Sequence, residues 1–227
     1  MSMSLAPGDV DVLLVAAHAP HLAGLRGLLS DTLAGIVRST RVGTKPVGIG
    51  LSAAAVGTTR RLMQTTPRAI VFIGVAGSYP GRALSPGTVV VPSKVVLAGA
   101  TISDTRAFFP GPMQTSVATH PMISTGIAAD PRTKRAAIAS TLAWTADDHL
   151  AASLSASTGA EAESLELFSV GQAAALLDVP FAAVIGISHE AGGRTRELMR
   201  DHERTAAEAA CETVSAWLQG GAQGLPV

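Results

Sequence analysis

The sequence predicts a single-domain α/β protein with a mixed, mostly parallel central sheet flanked by helices in three layers. Three observations carry that expectation. Short apolar runs of strand length alternate along the chain with longer stretches of helical spacing. Two of those runs, Ala69 to Ile73 and Val179 to Ile187, contain no polar residue, as in strands covered on both faces. The 227 residues, 47% hydrophobic and 15% charged, are enough for one sizeable core, and no linker divides them.

In chain order, Val10 to Ala17 reads as a buried first strand and Leu22 to Val37 as helix. Val47 to Leu51 reads as a short strand ending in Gly48-Ile49-Gly50, after which Ser52 caps a helix running to about Gln64. After the Ala69 to Ile73 strand, the glycine- and proline-rich stretch Gly74 to Pro86 reads as loop. Thr88 to Val91 and Lys94 to Leu97 are strand, with Pro92 marking an interruption or an edge. Thr101 to Pro131 reads as a long irregular segment around Phe108-Phe109-Pro110-Gly111-Pro112, of the kind that binds a ligand, closes a site or touches another subunit. Ala136 to Ala143 reads as strand, Asp147 to Leu154 as a short helix and Leu165 to Leu177 as a longer one. Val179 to Ile187 is the last strand, and Thr195 to Leu218 a long amphipathic helix. One domain spans residues 1–227, with 1–8 and 220–227 expected to fray.

Composition narrows the function. Seventeen basic residues balance seventeen acidic ones, so net charge offers no attraction to nucleic acid or to a membrane surface. The single cysteine, Cys211, excludes an internal disulfide and any multi-cysteine metal site. No apolar run approaches a bilayer span. Ala17-His18-Ala19 mimics a signal-peptidase site, but Asp9 and Asp11 precede it where a secretory leader is basic. A soluble, cytoplasmic protein is expected.

Gly48-Ile49-Gly50-Leu51-Ser52-Ala53 satisfies a loose dinucleotide fingerprint. Such a site needs an acidic residue at the end of the next strand, and Ile73-Gly74-Val75-Ala76-Gly77 lacks one. Two other features carry more. Glu163-Ser164-Leu165-Glu166 opens a predicted helix in a chain poor in carboxylates. Ile187-Ser188-His189 ends a buried strand, and Gly192-Gly193-Arg194-Thr195-Arg196 opens the helix after it. Ligands bind at such strand ends in α/β sheets, and a carboxylate there can accept two sugar hydroxyls.

With these segments in view, the chain resembles the nucleoside phosphorylase and nucleosidase superfamily over nearly its whole length. Gly48-Ile49-Gly50 and Gly74 to Pro80 look like that family's two glycine-rich loops, and Pro86 to Val91 like the strand after the second. Glu163 to Glu166 looks like its E-M-E segment, and Glu166 falls where the ribose-binding glutamate falls. Phosphorylases of the family place one arginine before the second glycine loop and another near the N-terminus. Here Ile70 to Ile73 and residues 16–21 lack them, so the resemblance implies hydrolysis. Gly74 to Pro80 and the pattern ending at Arg196 look most like the futalosine hydrolases of a menaquinone route. Methylthioadenosine and adenosylhomocysteine nucleosidases are next.

The resemblance implies release of a free base from a purine-type nucleoside through an oxocarbenium-like ribosyl group. Glu166 would hold the ribose and stabilise the cation. His189 stands where the family has the acid, or an asparagine, that contacts the base, and His21 where it has the water-activating glutamate; histidine can take either part. Leu165, Ser164, Ser188, Val75, Ala76, Gly77, Ser52, Trp144 and Arg194 are the expected substrate contacts, with Arg196 beside them. Phe108 and Phe109 could close over a 5′ substituent or form a subunit interface. No cofactor is implied and no metal: His18 and His21 make half a site, with no further ligand at suitable spacing. Family members form homodimers or larger rings, so a homo-oligomer is expected. Two alternatives stay open, a nucleoside-binding protein without catalysis and a phosphorylase holding phosphate with Arg60 or Arg61.

Overall fold

The computed structural model describes residues 10–226, so the expected fraying of 1–8 lies outside the described residues. Strand β1 (Val12–Ala16) leads into a 3-10 segment (Ala19–Leu25) and a short helix α1 (Arg26–Leu29), followed by β2 (Ala34–Val37) and β3 (Thr40–Pro46). Helix α2 (Leu51–Gln64), β4 (Ala69–Ser78), β5 (Val89–Leu97), α3 (Ala100–Ser103), β6 (Ser116–Ala118) and α4 (Pro121–Ile127) come next. The chain ends with β7 (Thr133–Ser140), α5 (Asp148–Thr158), β8 (Ala162–Ser164), α6 (Leu167–Leu176), β9 (Phe181–Glu190) and α7 (Thr195–Gln219).

The strands form one mixed sheet whose long ladders are parallel. β4 runs parallel to β1 on one side and to β9 on the other. β9 meets β5 antiparallel, β5 runs parallel to β7, and the short β8 joins β7 back to β4. Strands β4, β9, β5, β7 and β8 thus close on themselves, while β1, β3 and β2 extend the sheet beyond β4. This is the expected single-domain α/β fold with helices on both faces.

Burial explains the all-apolar strands. Val71 and Ile73 of β4 join one core cluster with Leu22, Leu25 and α7 residues Ala210, Val214 and Leu218. Ile70 and Phe72 join a second cluster, with Ala54 and Leu62 of α2 and Leu167 and Val170 of α6. Successive side chains point to opposite faces, so a strand covered on both has no place for a polar residue. Among the described residues, no helix is long and apolar enough to cross a membrane.

Several elements depart from expectation. The Leu22 to Val37 helix stops at Leu29, because Ser30 and Leu33 take positive φ and turn the chain into β2. The strand expected at Val47 to Leu51 lies earlier, at β3. Its polar composition hid it, and Asp11 pins its start by accepting from the Arg41 amide and Nε. Gly50, not Ser52, is the N-cap of α2, and no side chain caps that helix. Gly74 to Ser78 is not loop: β4 continues through Ser78, buried at every position. The irregular stretch Thr101 to Pro131 contains part of α3 and all of β6 and α4, with His120 and Pro121 starting α4. Glu163 and Ser164 sit on a strand, and the helix begins only after Glu166. Residues 220–226, expected to fray, are docked: Ala222 is buried and the Trp217 indole N–H donates to the Gln223 carbonyl at 3.0 Å.

Candidate active site

The carboxyl ends of β4, β8 and β9 meet at one point. Gly77 is paired with Glu163 on one side and His189 on the other, so residues distant in sequence arrive there through sheet register.

Glu166 follows β8 directly and is the N-cap of α6, only 6% exposed. Its Oε1 accepts the Gly50 amide at 2.9 Å. Gly50 has φ +81°, which turns that amide out of the β3–α2 connection. Burial raises the Glu166 pKa, against the opposing pull of the Gly50 amide and the Ser164 hydroxyl. The first glycine turn therefore contributes a backbone donor to a buried carboxylate.

Glu163 is fully buried and serves a different purpose. It accepts the Thr145 amide at 2.7 Å and the Thr145 hydroxyl at 2.5 Å. Burial raises its pKa despite these donors. The Thr145 carbonyl in turn accepts from the Thr195 hydroxyl at 2.7 Å, tying the start of α7 to the same residue. Glu163 thus anchors the connection that carries Trp144.

His189 is fully buried at the end of β9, with Ser188 before it. Its Nδ1 lies 2.8 Å from Ser188 Oγ, and its Nε2 has no hydrogen-bond partner among the described residues. Trp144 stands edge-on to its ring, with centroids 5.4 Å apart. The imidazole lies across Gly77, where a methyl group would fall 2.6 Å from Nε2. Burial pushes the His189 pKa down to about 4, with the Glu203 charge opposing. The ring is therefore neutral at physiological pH, and donation from an imidazolium is not what this geometry provides. Ser188 Oγ is also 3.3 Å from the Ala76 carbonyl, so its single proton sets the tautomer. When Ser188 donates to Nδ1, Nε2–H is the free donor; when it donates to Ala76, Nε2 is a free acceptor.

His21 lies in the 3-10 segment after β1, 6% exposed, with Nε2 at 3.0 Å from Glu203 Oε1. Burial lowers its pKa, and Glu203 raises it in part. The His18 ring is 4.0 Å away, centroid to centroid. Two observations relate this cluster to Glu166 and His189. Gly48 donates to the Ala17 carbonyl at 2.9 Å, two residues before the Gly50 amide reaches Glu166. The Glu203 charge also acts on both Glu166 and His189.

Of the expected contacts, Val75, Ala76, Gly77, Ser164, Leu165, Glu166, Ser188 and His189 are buried together at these strand ends, with half-buried Trp144 against them. Ser52 is exposed in the first turn of α2, beyond the Gly50 amide that makes the contact. Arg194 and Arg196 are exposed, and Arg194 pairs with Glu197 at 2.7 Å, so the structure does not bring Arg194 to these groups. Arg60 and Arg61 lie towards the far end of α2, about 15 Å along the helix axis from Gly50 at 1.5 Å per residue. Phe108 is exposed, while Phe109 lines a separate cavity of about 270 Å³ with Lys94 and Ile102. A second cavity of about 400 Å³ borders Trp144 and Thr145. Sequence reasoning missed Thr145 and Glu203. Thr145 neighbours Trp144 without standing out, and Glu203 is one charge among many on an amphipathic helix 182 residues from His21.

The family model described as phosphorylase superfamily matches residues 25–219. Among solved structures, the chain is similar to the 5′-methylthioadenosine/S-adenosylhomocysteine nucleosidase of Neisseria meningitidis, in complex with methylthio-immucillin-A. The TM-score is 0.82 at 17% identity, over 92% of this chain and 98% of that one. The corresponding nucleosidase of Colwellia psychrerythraea 34H, in complex with adenine, gives 0.83 at 19% identity, over 98% and 100%. Futalosine hydrolase of Helicobacter pylori gives 0.82 at 16% identity, over 92% and 97%. No curated protein matches the sequence.

Proposed function

The chain belongs to the phosphorylase superfamily, and from that premise we propose that it hydrolyses the N-ribosidic bond of a purine-type nucleoside. Futalosine-like substrates are our first choice. The observation that carries the reading is the buried Glu166 carboxylate, one oxygen held by the Gly50 amide and set among the ends of β4, β8 and β9.

In this reading the other Glu166 oxygen accepts the ribose hydroxyls, and its charge stabilises the oxocarbenium-like ribosyl group as the bond to the base breaks. Trp144 walls the base. His189 faces the base with Nε2, and the tautomer in which Ser188 donates to Nδ1 gives a neutral N–H donor for O6 or N7 of a 6-oxopurine. The electron pair of the broken bond stays with the base, which takes up a proton from solvent, and the water that adds to the ribosyl carbon gives one proton back to solvent. His21, with Glu203 behind it, orients the water that adds to the ribosyl carbon. Water is preferred to phosphate because Arg60 and Arg61 stand far from Glu166. The enzyme would work as a homo-oligomer, in keeping with the exposed apolar Val56 and Met63 on α2.

The test is base release, followed by chromatography, from futalosine, methylthioadenosine, adenosylhomocysteine, inosine and adenosine, with and without phosphate. Phosphate-independent release from at least one of them is expected. Strict phosphate dependence would make the protein a phosphorylase. Nucleoside binding without release would leave it a binding protein.

A further inference from the structure

We propose that His18, His21 and Glu203 form a binding site for one divalent transition-metal ion of the zinc type, where the segment after β1 meets α7. The three side chains place His18 Nε2, His21 Nε2 and Glu203 Oε1 within 4.8 Å of one another. Glu203 Oε1 is 3.0 Å from His21 Nε2 and 3.8 Å from His18 Nε2. Bonds of about 2.0–2.2 Å in a tetrahedral shell require neighbouring donors roughly 3.4 Å apart, and the two edges to Glu203 bracket that spacing.

The fold holds the ligands in register from two directions. His18 is the extended N-cap of the 3-10 segment that follows β1 and His21 lies in its first turn, with their ring centroids 4.0 Å apart. Glu203 comes from α7, which packs on that segment, and the Cys211 thiol of α7 donates to the His21 carbonyl at 3.1 Å. No local spacing rule links Glu203 to the histidines.

The protein atoms alone leave the cluster incompletely satisfied. One carboxylate oxygen faces two imidazole nitrogens, and at 3.8 Å His18 is too far for a hydrogen bond. A divalent ion would engage all three converging lone pairs at once. Two neutral imidazoles and one carboxylate are the nitrogen-rich, borderline donor set that favours zinc over magnesium or calcium. His18 and Glu203 keep 34% of their side-chain surface, whereas His21 keeps 7%. Three protein ligands with remaining access describe an open site with room for a water, rather than a closed structural one. In the nucleosidase reading such an ion would stand between His21 and the attacking water, but metal binding does not depend on that reading.

The test uses the full chain, free of any histidine tag, loaded with zinc chloride and dialysed, with metal content measured by elemental analysis. Affinity is measured by titration with zinc and with cobalt(II), whose visible absorption reports tetrahedral ligation. One equivalent of zinc and a tetrahedral cobalt spectrum are expected. His21→Ala and Glu203→Gln should each weaken binding by at least about 100-fold, beyond the 10–100-fold usual for losing an outer-shell partner. The half-exposed His18→Ala gives the same reading with the least risk to folding, and circular dichroism establishes that each variant is folded. Absence of stoichiometric metal in the folded wild type, or affinity unchanged in His18→Ala and Glu203→Gln, overturns the proposal. Base release from the same samples is a separate readout, so failure of the metal site and failure of the nucleosidase reading are told apart.

Discussion

The two halves of the candidate site are built by opposite means. Around Glu166 and His189, the side chains sit at the ends of buried strands and their positions follow from sheet register: Gly77 opposes Glu163 on one flank and His189 on the other. Around His18 and His21, the decisive partner is Glu203, delivered by a helix from the far end of the chain and left 34% exposed. The first half is buried and crowded, with no room for a methyl group at Gly77. The second is half open, and one carboxylate carries most of its polar contacts. Chemistry that stabilises charge on a bound sugar belongs in the first, where low dielectric strengthens each interaction. Chemistry that must admit water or an ion belongs in the second.

The strongest way to break this comparison is at Glu166. Glu166→Ala should lower kcat/KM for base release by about 10²–10³-fold, the usual cost of losing one charge-stabilising group in an enclosed site. A loss below tenfold would remove Glu166 from the ribosyl site. Glu166→Gln separates function from stability. Burial raises the Glu166 pKa, so the carboxyl favours folding while protonated, below the unfolded value of 4.5. That contribution is lost as pH rises through the folded pKa. Glu166→Gln should therefore be inactive yet more stable than wild type at neutral pH, with the gap closing near pH 4, as denaturant titrations at the two pH values would reveal.

His189 should make its half of the site sensitive to acid. Its folded pKa near 4 lies below the ordinary 6.5, so the folded state binds fewer protons than the unfolded chain between those values. Its contribution to stability is complete above about pH 6.5 and fades as pH falls towards 4, a loss on the order of 3 kcal/mol at 1.36 kcal/mol per pKa unit. His189→Gln should flatten the stability profile in that window. An unchanged profile would mean the ring is hydrated or mobile.

Gly77 measures the crowding directly. A methyl group there would fall 2.6 Å from His189 Nε2, too close to be tolerated without moving the imidazole. Gly77→Ala should cost about 1–3 kcal/mol of stability, the range for overpacking a filled core. Pairing it with His189→Ala should recover most of that loss, since the smaller side chain vacates the space. If the double mutant is no better than the sum of the two, the collision is not the cause.

What the sequence disclosed follows the same division. The all-apolar strands, the helix of Thr195 onward and the strand-end positions of Ser188 and His189 were legible, because two-sided burial and local order leave marks on neighbouring residues, whereas Glu166 reads as part of a helix that in fact begins only after it. Gly77 reads from the sequence as part of a glycine-rich loop, whereas its lack of a side chain serves the packing of an imidazole inside a continuing strand. β3 was missed because Thr40, Arg41, Thr44 and Lys45 break the apolar pattern, and its start is set by an ion pair with Asp11. Glu203 was invisible. Nothing near it in the chain records that α7 packs against the 3-10 segment carrying His21, a contact made only by the folded whole.

Arg194 is where motif and geometry part, and the smallest expected effect sharpens the comparison most. The pattern ending at Arg196 invites a substrate role, but Arg194 is 68% exposed and engages Glu197 one helical turn on, at a helix start where the arginine meets the unfavourable end of the dipole. An exposed i,i+3 pair of this kind adds little to stability, because water and salt screen it. Arg194→Ala should therefore shift stability little and leave kcat and KM for base release within about twofold of wild type. The neighbouring Thr195→Ala should behave differently, because Thr195 donates to the Thr145 carbonyl and so steadies the residue held by Glu163 and the ring of Trp144 beside it. A tenfold rise in KM for Arg194→Ala would mean that α7 begins differently when nucleoside is bound and swings its first arginine inward. The strand-built half of the site would then share the adaptability assigned here to the helix-built half.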